Sequence, residues 1–208
     1  MALLSSDRFG ARDWHKRDAS RRRSRAASLF IAAIGSLALS LVAARAQPPA
    51  SKEYQIKAVF LFNFVQFVEW PETAFSSPEA PIRIVVLGDD PFGGALDAAV
   101  QGEKVRGRSL VIQRARDLRE AGECHLLYVG PSEREAVGAI ISAFETRPVL
   151  TVGDMPEFAR HGGIINFYLE GQKVRFEINR AAAQRSGLKL SSQLLGLARL
   201  VGPSVAER

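Results

Sequence analysis

Between residues 53 and 70 apolar side chains recur at steps of three and four: Ile56, Val59, Phe60, Phe64, Phe67 and Val68, with Asn63 on the same line. That spacing predicts a helix. Pro71 sets its end, because the residue before a proline avoids the helical region. Phe62 and Phe67 do not both fit the narrow face set by Val59 and Asn63, so the apolar arc is wide. Two readings stay open: a helix buried between two layers, or one with a face kept for a partner or a second copy. From Pro81 the pattern changes. Ile82 to Leu87 is a short apolar run of strand length, closed by Gly88-Asp89-Asp90-Pro91. Further strands are predicted around Leu110-Val111-Ile112, at 125–129 and at 149–152. Helices are predicted at 92–100, with Asp90 as cap and Pro91 at its first position, and at 133–144, with Ser132 and Glu135 as a capping box. Residues 162–169 and 173–178 alternate and predict a hairpin across Glu170-Gly171-Gln172. Asn179 is placed to cap a helix at 180–184, and Ser191 one at 192–200.

Strands alternating with helices predict an α/β fold, a three-layer sandwich. Its mixed sheet is mainly parallel, has helices on both faces, and ends in a C-terminal hairpin edge.

The ends of the chain read differently. Arg21, Arg22, Arg23 and Arg25 precede an apolar run at 29–42, and Ala44-Arg45-Ala46 suits a small-residue cleavage site. This is the layout of a secretory signal peptide over residues 1–46, cleaved after Ala46. As a helix the run would span about 21 Å, short of a hydrocarbon core about 30 Å thick. Arg22-Arg23 leaves the Sec and twin-Arg export routes both open. Residues 47–51 read as a flexible lead-in, 52–202 as one domain and 203–208 as a tail. The leader carries nine of the 28 basic residues and three of the 22 acidic ones, which leaves 19 of each in the mature chain. The basic balance therefore belongs to the leader, and the mature chain offers no electrostatic case for nucleic-acid binding. Cys124 is the only cysteine, so no disulfide forms within one chain.

Candidate chemistry is sparse. Ile84 to Asp90 looks like the acidic opening of a phospho-receiver domain. The acceptor carboxylate after a third strand and the lysine after a fifth are missing, so the motif lacks its context. Gly88 and Gly93-Gly94 do not make a dinucleotide fingerprint. Cys124 and His125 are adjacent on a strand and point to opposite faces, which rules out a simple nucleophile–base pair. No Cys or His pair has zinc-ligand spacing, and no Ser-His-acid set is legible. The expectation is a non-enzyme without a cofactor. A rim for a ligand or partner is expected from the loop Asp89, Asp90, Pro91 and Phe92, which lies beyond a strand's carboxyl end. Asp154, Phe158, Gly162, Gly163, Arg175, Glu177 and Asn179 complete it. The paired glycines permit positive φ or close approach of another group. Arg175 and Glu177 share a face with Lys173, read either as a solvated strand face or as a partner surface.

The order Gly153-Asp154, Phe158, Gly162-Gly163, Gly171, Arg175-Phe176-Glu177-Ile178-Asn179 and Ser186-Gly187-Leu188 resembles the YfiR-like family of bacterial periplasmic proteins. The likeness continues upstream in Trp70-Pro71, in 82–88 and in 124–129, and covers nearly all the chain after residue 50. It implies a periplasmic, non-enzymatic regulator that binds and represses the periplasmic sensor domain of an inner-membrane diguanylate cyclase, with a homodimer possible. Relatives carry cysteine bridges that this chain lacks. The alternative implied function is a periplasmic small-ligand-binding or envelope-stress sensor protein with another membrane partner.

Overall fold

A computed structural model describes residues 50–202. The leader, residues 47–49 of the lead-in, and the tail fall outside the described residues. Helix α1 (Lys52–Phe67) is capped by Ser51, whose Oγ accepts from the Tyr54 N–H. It is followed by β1 (Val68–Glu69), a 3₁₀ turn (Glu72–Ala74) and β2 (Ile82–Leu87). Next come α2 (Ala95–Val100), β3 (Lys104–Val105), β4 (Arg108–Ala115) and α3 (Leu118–Ala121). The chain continues through β5 (Leu126–Val129), a 3₁₀ helix (Pro131–Ala136), α4 (Val137–Phe144) and β6 (Leu150–Gly153). It closes with β7 (Ile165–Glu170), β8 (Lys173–Asn179), α5 (Arg180–Arg185), β9 (Lys189–Leu190), α6 (Ser192–Leu197) and β10 (Arg199–Val201).

Eight strands form one sheet in the order β10-β8-β7-β6-β5-β2-β4-β3. From β4 to β7 neighbouring strands are parallel, as are β8 and β10; β7–β8 and β3–β4 are antiparallel. β1 and β9 form a separate two-stranded antiparallel pair. Apart from the exposed Arg83 of β2, the inner strands β2, β5 and β6 are buried on both faces, which explains why Arg83 and Thr151 are the only polar side chains in them. Alternation sorts them into two cores. Ile84, Val86, Leu126, Tyr128, Leu150 and Val152 face α1, α2, α5 and α6. Val85, Leu87, Leu127 and Val129 face α3 and α4. This is the expected three-layer α/β sandwich with a mainly parallel sheet.

The α1 core is aromatic. The Phe64 ring lies 5.0 Å from Phe176 and 5.6 Å from Phe167, and Phe60 lies 5.6 Å from Phe176. Fully burying one such side chain contributes about 1.5–3 kcal/mol. The helix turns inward a different face from the one its periodicity suggested: Lys57, Ala58, Leu61, Phe64 and Val65 are buried, while Ile56 and Val59 are exposed. α1 is thus covered on one side by the sheet and is not sandwiched between two layers.

Several element bounds also differ from expectation. α1 stops at Phe67, before Trp70, because Val68 and Glu69 pair with Leu190 and Lys189. α2 begins at Ala95, so Asp90 and Pro91 belong to a turn in which Asp90 Oδ1 accepts from the Phe92 N–H at 2.7 Å. Ser132 is not a helix cap. Its Oγ accepts from the Asp89 N–H at 3.0 Å, and residues 131–136 form a 3₁₀ helix. The last helix ends at Leu197, and Arg199–Val201 turns back to pair with β8 outside the hairpin. The expected caps Asn179 and Ser191 are present, accepting from the N–H groups of Ala182 and Leu194. No helix among the described residues is long and apolar enough to cross a membrane.

Candidate functional site

The expected rim divides into three parts. β2 is flanked by β4 and β5, so the chain crosses over in opposite directions on its two sides, and a crevice would open beyond their carboxyl ends. Here the crevice is filled. Ser132 ties down Asp89, and the fully buried Phe92 ring packs edge-on to Tyr128 at 4.7 Å and to Tyr54 at 5.6 Å. Asp90 Oδ2 accepts from Arg114 Nε at 3.0 Å, and Asp97 takes two further bonds from the same guanidinium. Those bonds hold the Asp97 carboxyl below the usual carboxylate range. Asp89 is exposed and Pro91 half-buried, but Phe92 is a core residue and not a rim residue.

The second part, Phe158, Gly162, Gly163 and Asn179, is a closed structural corner. Phe158 is fully buried, and a Cβ on Gly153 or on Gly163 would overlap its ring. The close approach that the glycines allow is therefore to an aromatic ring. Gly162 carries the positive φ, +113°. Asn179 is fully buried; its Nδ2 donates to the Ala159 carbonyl at 2.7 Å while its Oδ1 caps α5. Phe158, Gly163 and Asn179 are buried and closed to a ligand, whereas Gly162 is half-buried.

Asp154 and Glu177 form the third part, and these two do reach an open groove. It lies where β6 stops at Gly153 and β7 runs on to Glu170, and holds about 410 Å³. Asp154 follows β6 directly and accepts from Lys57 Nζ through both oxygens, at 2.7 and 2.6 Å. Lys57 also bonds Glu53 one turn back on α1. The Tyr128 hydroxyl donates to Asp154 Oδ2 at 3.1 Å. Burial pushes the Tyr54 and Tyr128 hydroxyls far above their ordinary value, and the Asp154 carboxylate adds to this, so both stay protonated. Lys57 is only 2% exposed, and such a buried ammonium is tolerable because its three donors meet two carboxylates.

Across the groove a polar row crosses three strands. Asn166 on β7 is in register with Glu177 on β8, and Glu177 with Arg199 on β10. Asn166 Nδ2 donates to Glu177 at 3.3 Å and Arg199 Nη2 donates to it at 2.5 Å. The bond to Glu177 holds the Arg199 guanidinium above its ordinary value, and its carbon lies 4.2 Å from the Tyr168 ring centre. Glu177 is therefore a buried ion-pair residue, against the expectation of a solvated face shared with Lys173 and Arg175. Arg175 is exposed and pairs with Glu170 at 3.2 Å, away from the groove.

The most open feature is apolar. Ile56 is 47% and Val59 51% exposed on the outer side of α1. Between Glu53 and Glu69 the only charge on this helix is Lys57, and it is turned inward. Leu169 and Leu200 lie on the same sheet face as α1, since Leu169 follows Phe167 by two and Leu200 is in register with Ile178; each is about half exposed. Leu197 at the end of α6 is exposed as well. The sequence did not mark Lys57, Glu53, Tyr54, Tyr128 and Arg199. The one usable signal was a lone lysine inside an otherwise uncharged helical run. Among the described residues no group of three His, Cys, Asp or Glu side chains is arranged to hold a metal ion.

Among solved structures, the chain is similar to the crystal structure of a conserved domain protein from Vibrio cholerae O1 biovar El Tor str. N16961. The two share 15% identity with a TM-score of 0.48, over 73% of this chain and 60% of that one. The chain thus covers less than two thirds of that relative's length. A family model described as YfiR/HmsC-like matches residues 54–199, from the first turn of α1 to the start of β10. Members of that family are regulators in the setting of cyclic di-GMP signalling. The match takes in more than half the chain and seven of the eight strands of the sheet, with the start of the eighth, and the chain belongs to the YfiR/HmsC-like family.

Proposed function

We propose that the protein is a periplasmic repressor that binds the periplasmic sensor domain of an inner-membrane diguanylate cyclase and holds the cyclase in its inactive state. The observation that carries this reading is the outer face of α1. A surface helix in solution normally carries charge on its outer side; beyond Lys52 in its first turn this one presents Ile56 and Val59 beside Gln55, Phe60 and Asn63, with Leu169 and Leu200 half-exposed on the same face of the sheet. Exposed apolar residues gathered on one face, rather than scattered singly, mark a binding surface. Family membership supports a cyclase as the partner.

The mechanism would be a population shift, in which binding favours the inactive cyclase by the difference in its affinity for the two states. The leader, with cleavage after Ala46, would place the protein on the periplasmic side, and mass spectrometry of the exported protein checks that terminus. The direct test of function is pull-down of a candidate cyclase's periplasmic domain by wild-type protein and by Ile56→Glu/Val59→Glu. Both positions are exposed, so the variant should fold normally and lose the partner. Equal recovery by both proteins would move the partner surface elsewhere; no recovery by either would remove the cyclase as partner.

A further inference from the structure

At the opposite end of the sheet from the groove, the amino ends of β2, β5 and β6 enclose a second pocket of about 290 Å³. Its walls are the segment after the first 3₁₀ turn (Phe75, Ser76, Ala80 and Pro81), the stretch 123–125, and the loop 147–149. The wall is built, not loose. Arg108 Nη1 donates to the carbonyls of Ser77 at 2.9 Å and Ala80 at 2.7 Å, which ties the segment to β4. The Phe75 ring is sandwiched between the Arg108 guanidinium at 3.7 Å and the His125 ring at 4.5 Å. His125 is locked in turn. Its Nδ1 accepts from the Arg83 N–H at 3.0 Å, its Nε2–H donates to the Ala74 carbonyl across 3.1 Å, and Trp70 Nε1 donates to the His125 carbonyl at 3.1 Å.

Two guanidiniums stand at the mouth. The Arg83 side chain makes no hydrogen bond or ion pair with another described residue. Arg147 leans on the Phe144 ring at 4.6 Å and makes one long bond, 3.5 Å, to the Gly122 carbonyl. Neither is neutralised by a carboxylate within ion-pair distance among the described residues, although Glu123 is on the rim. The fields of these groups meet on the pocket floor. Arg83 and Arg108 help to depress the His125 pKa after burial, and Arg147 opposes the rise that burial causes at Cys124. The hydroxyls of Thr73 and Ser76 add neutral donors at the edge. Guanidiniums with free forks, beside hydroxyl donors and over a rigid aromatic wall, match an oxyanion.

We propose that this pocket binds a small molecule bearing a carboxylate or phosphate group, gripped between Arg83 and Arg147 beside the edge of the Phe75 ring. The volume is at the small end for ligand sites, which limits the occupant to a compact metabolite or a free anion. The site is separate from the α1 face, so its occupancy is independent of the partner reading.

The test is an NMR titration of the purified protein at low ionic strength, with inorganic phosphate and with acetate as probes. Saturable shifts are expected at Thr73 to Ser76, at Glu123 to His125 and around Arg147. Arg83→Gln and Arg147→Gln should each weaken binding about tenfold, the loss of one charge-assisted contact. The double variant should show no saturation, and Arg175→Gln, which alters an arginine far from the pocket, should bind as wild type. Tighter binding of phosphate than acetate assigns a phosphate ligand, and the reverse order a carboxylate. The arginines are exposed, so unchanged thermal unfolding verifies the fold of each variant. Absence of saturable binding by either probe, or equal affinity in the double variant, would overturn the proposal.

Discussion

Lys57 and Asp154 lie 97 positions apart in the chain, yet the Lys57 ammonium sits 2.6 and 2.7 Å from the two oxygens of the Asp154 carboxylate. This contact fastens the first turns of α1 to the carboxyl end of β6. Lys57 is buried and Asp154 nearly so. Removing one partner of such a pair leaves an unpaired charge and typically costs about 3–5 kcal/mol. Lys57→Met is expected to destabilise by that amount in urea unfolding, and Lys57→Met/Asp154→Leu to recover part of the loss. A single variant as stable as wild type would show that α1 is held by its aromatic contacts alone.

Gly163→Ala should be costly for a steric reason alone. Its φ is not in the left-handed region, but the added methyl would overlap the Phe158 ring, which is fully buried and has nowhere to retreat. Overpacking of this kind costs about 1–3 kcal/mol. Phe158→Leu in the same chain should relieve part of it. Thermal unfolding of the two single variants and the double variant measures the coupling, and strict additivity would contradict the contact.

The state of His125 makes stability depend on pH. Burial lowers its pKa below the usual 6.5; the bond to Ala74 opposes this, and Arg108 and Arg83 add to the lowering. The unfolded chain then takes up a proton that the folded chain refuses. The contribution of this group to stability is complete above about pH 6.5 and declines as pH falls below it. His125→Phe loses the ring's hydrogen bonds but does not titrate. Its deficit relative to wild type should shrink between about pH 7 and pH 5. A deficit constant over that range would contradict a buried neutral imidazole.

Much of the fold was legible because the inner strands advertise themselves. Ile82 to Leu87, 125–129 and 149–152 are apolar but for one residue each (Arg83, His125 and Thr151), the composition expected of strands buried on both faces. The rotation of α1 was not legible. Its apolar arc is so wide that periodicity left the inward face undecided, and a buried lysine paired with the distant Asp154 settled it. β10 was hidden inside a Leu-rich run that reads equally well as helix, and its pairing with β8 is a tertiary choice. The site was less legible than the fold. Asp154 and Glu177 do reach a groove, but Phe92, Phe158 and Asn179 are core and capping residues, and a lone aromatic or asparagine near glycines has the same local sequence in either role. The partners of Asp154 and Glu177 (Lys57 and Arg199) come from remote segments, a pairing that one sequence does not reveal.

The central claim is repression of a diguanylate cyclase through the outer face of α1. It is tested most directly by the cellular cyclic di-GMP concentration in a strain lacking this gene, complemented with wild type or with Ile56→Glu/Val59→Glu at matched protein levels. The account predicts that deletion raises cyclic di-GMP, that wild type restores the low level, and that the double variant leaves it high. A deletion strain with unchanged cyclic di-GMP, or full repression by the double variant, would contradict it.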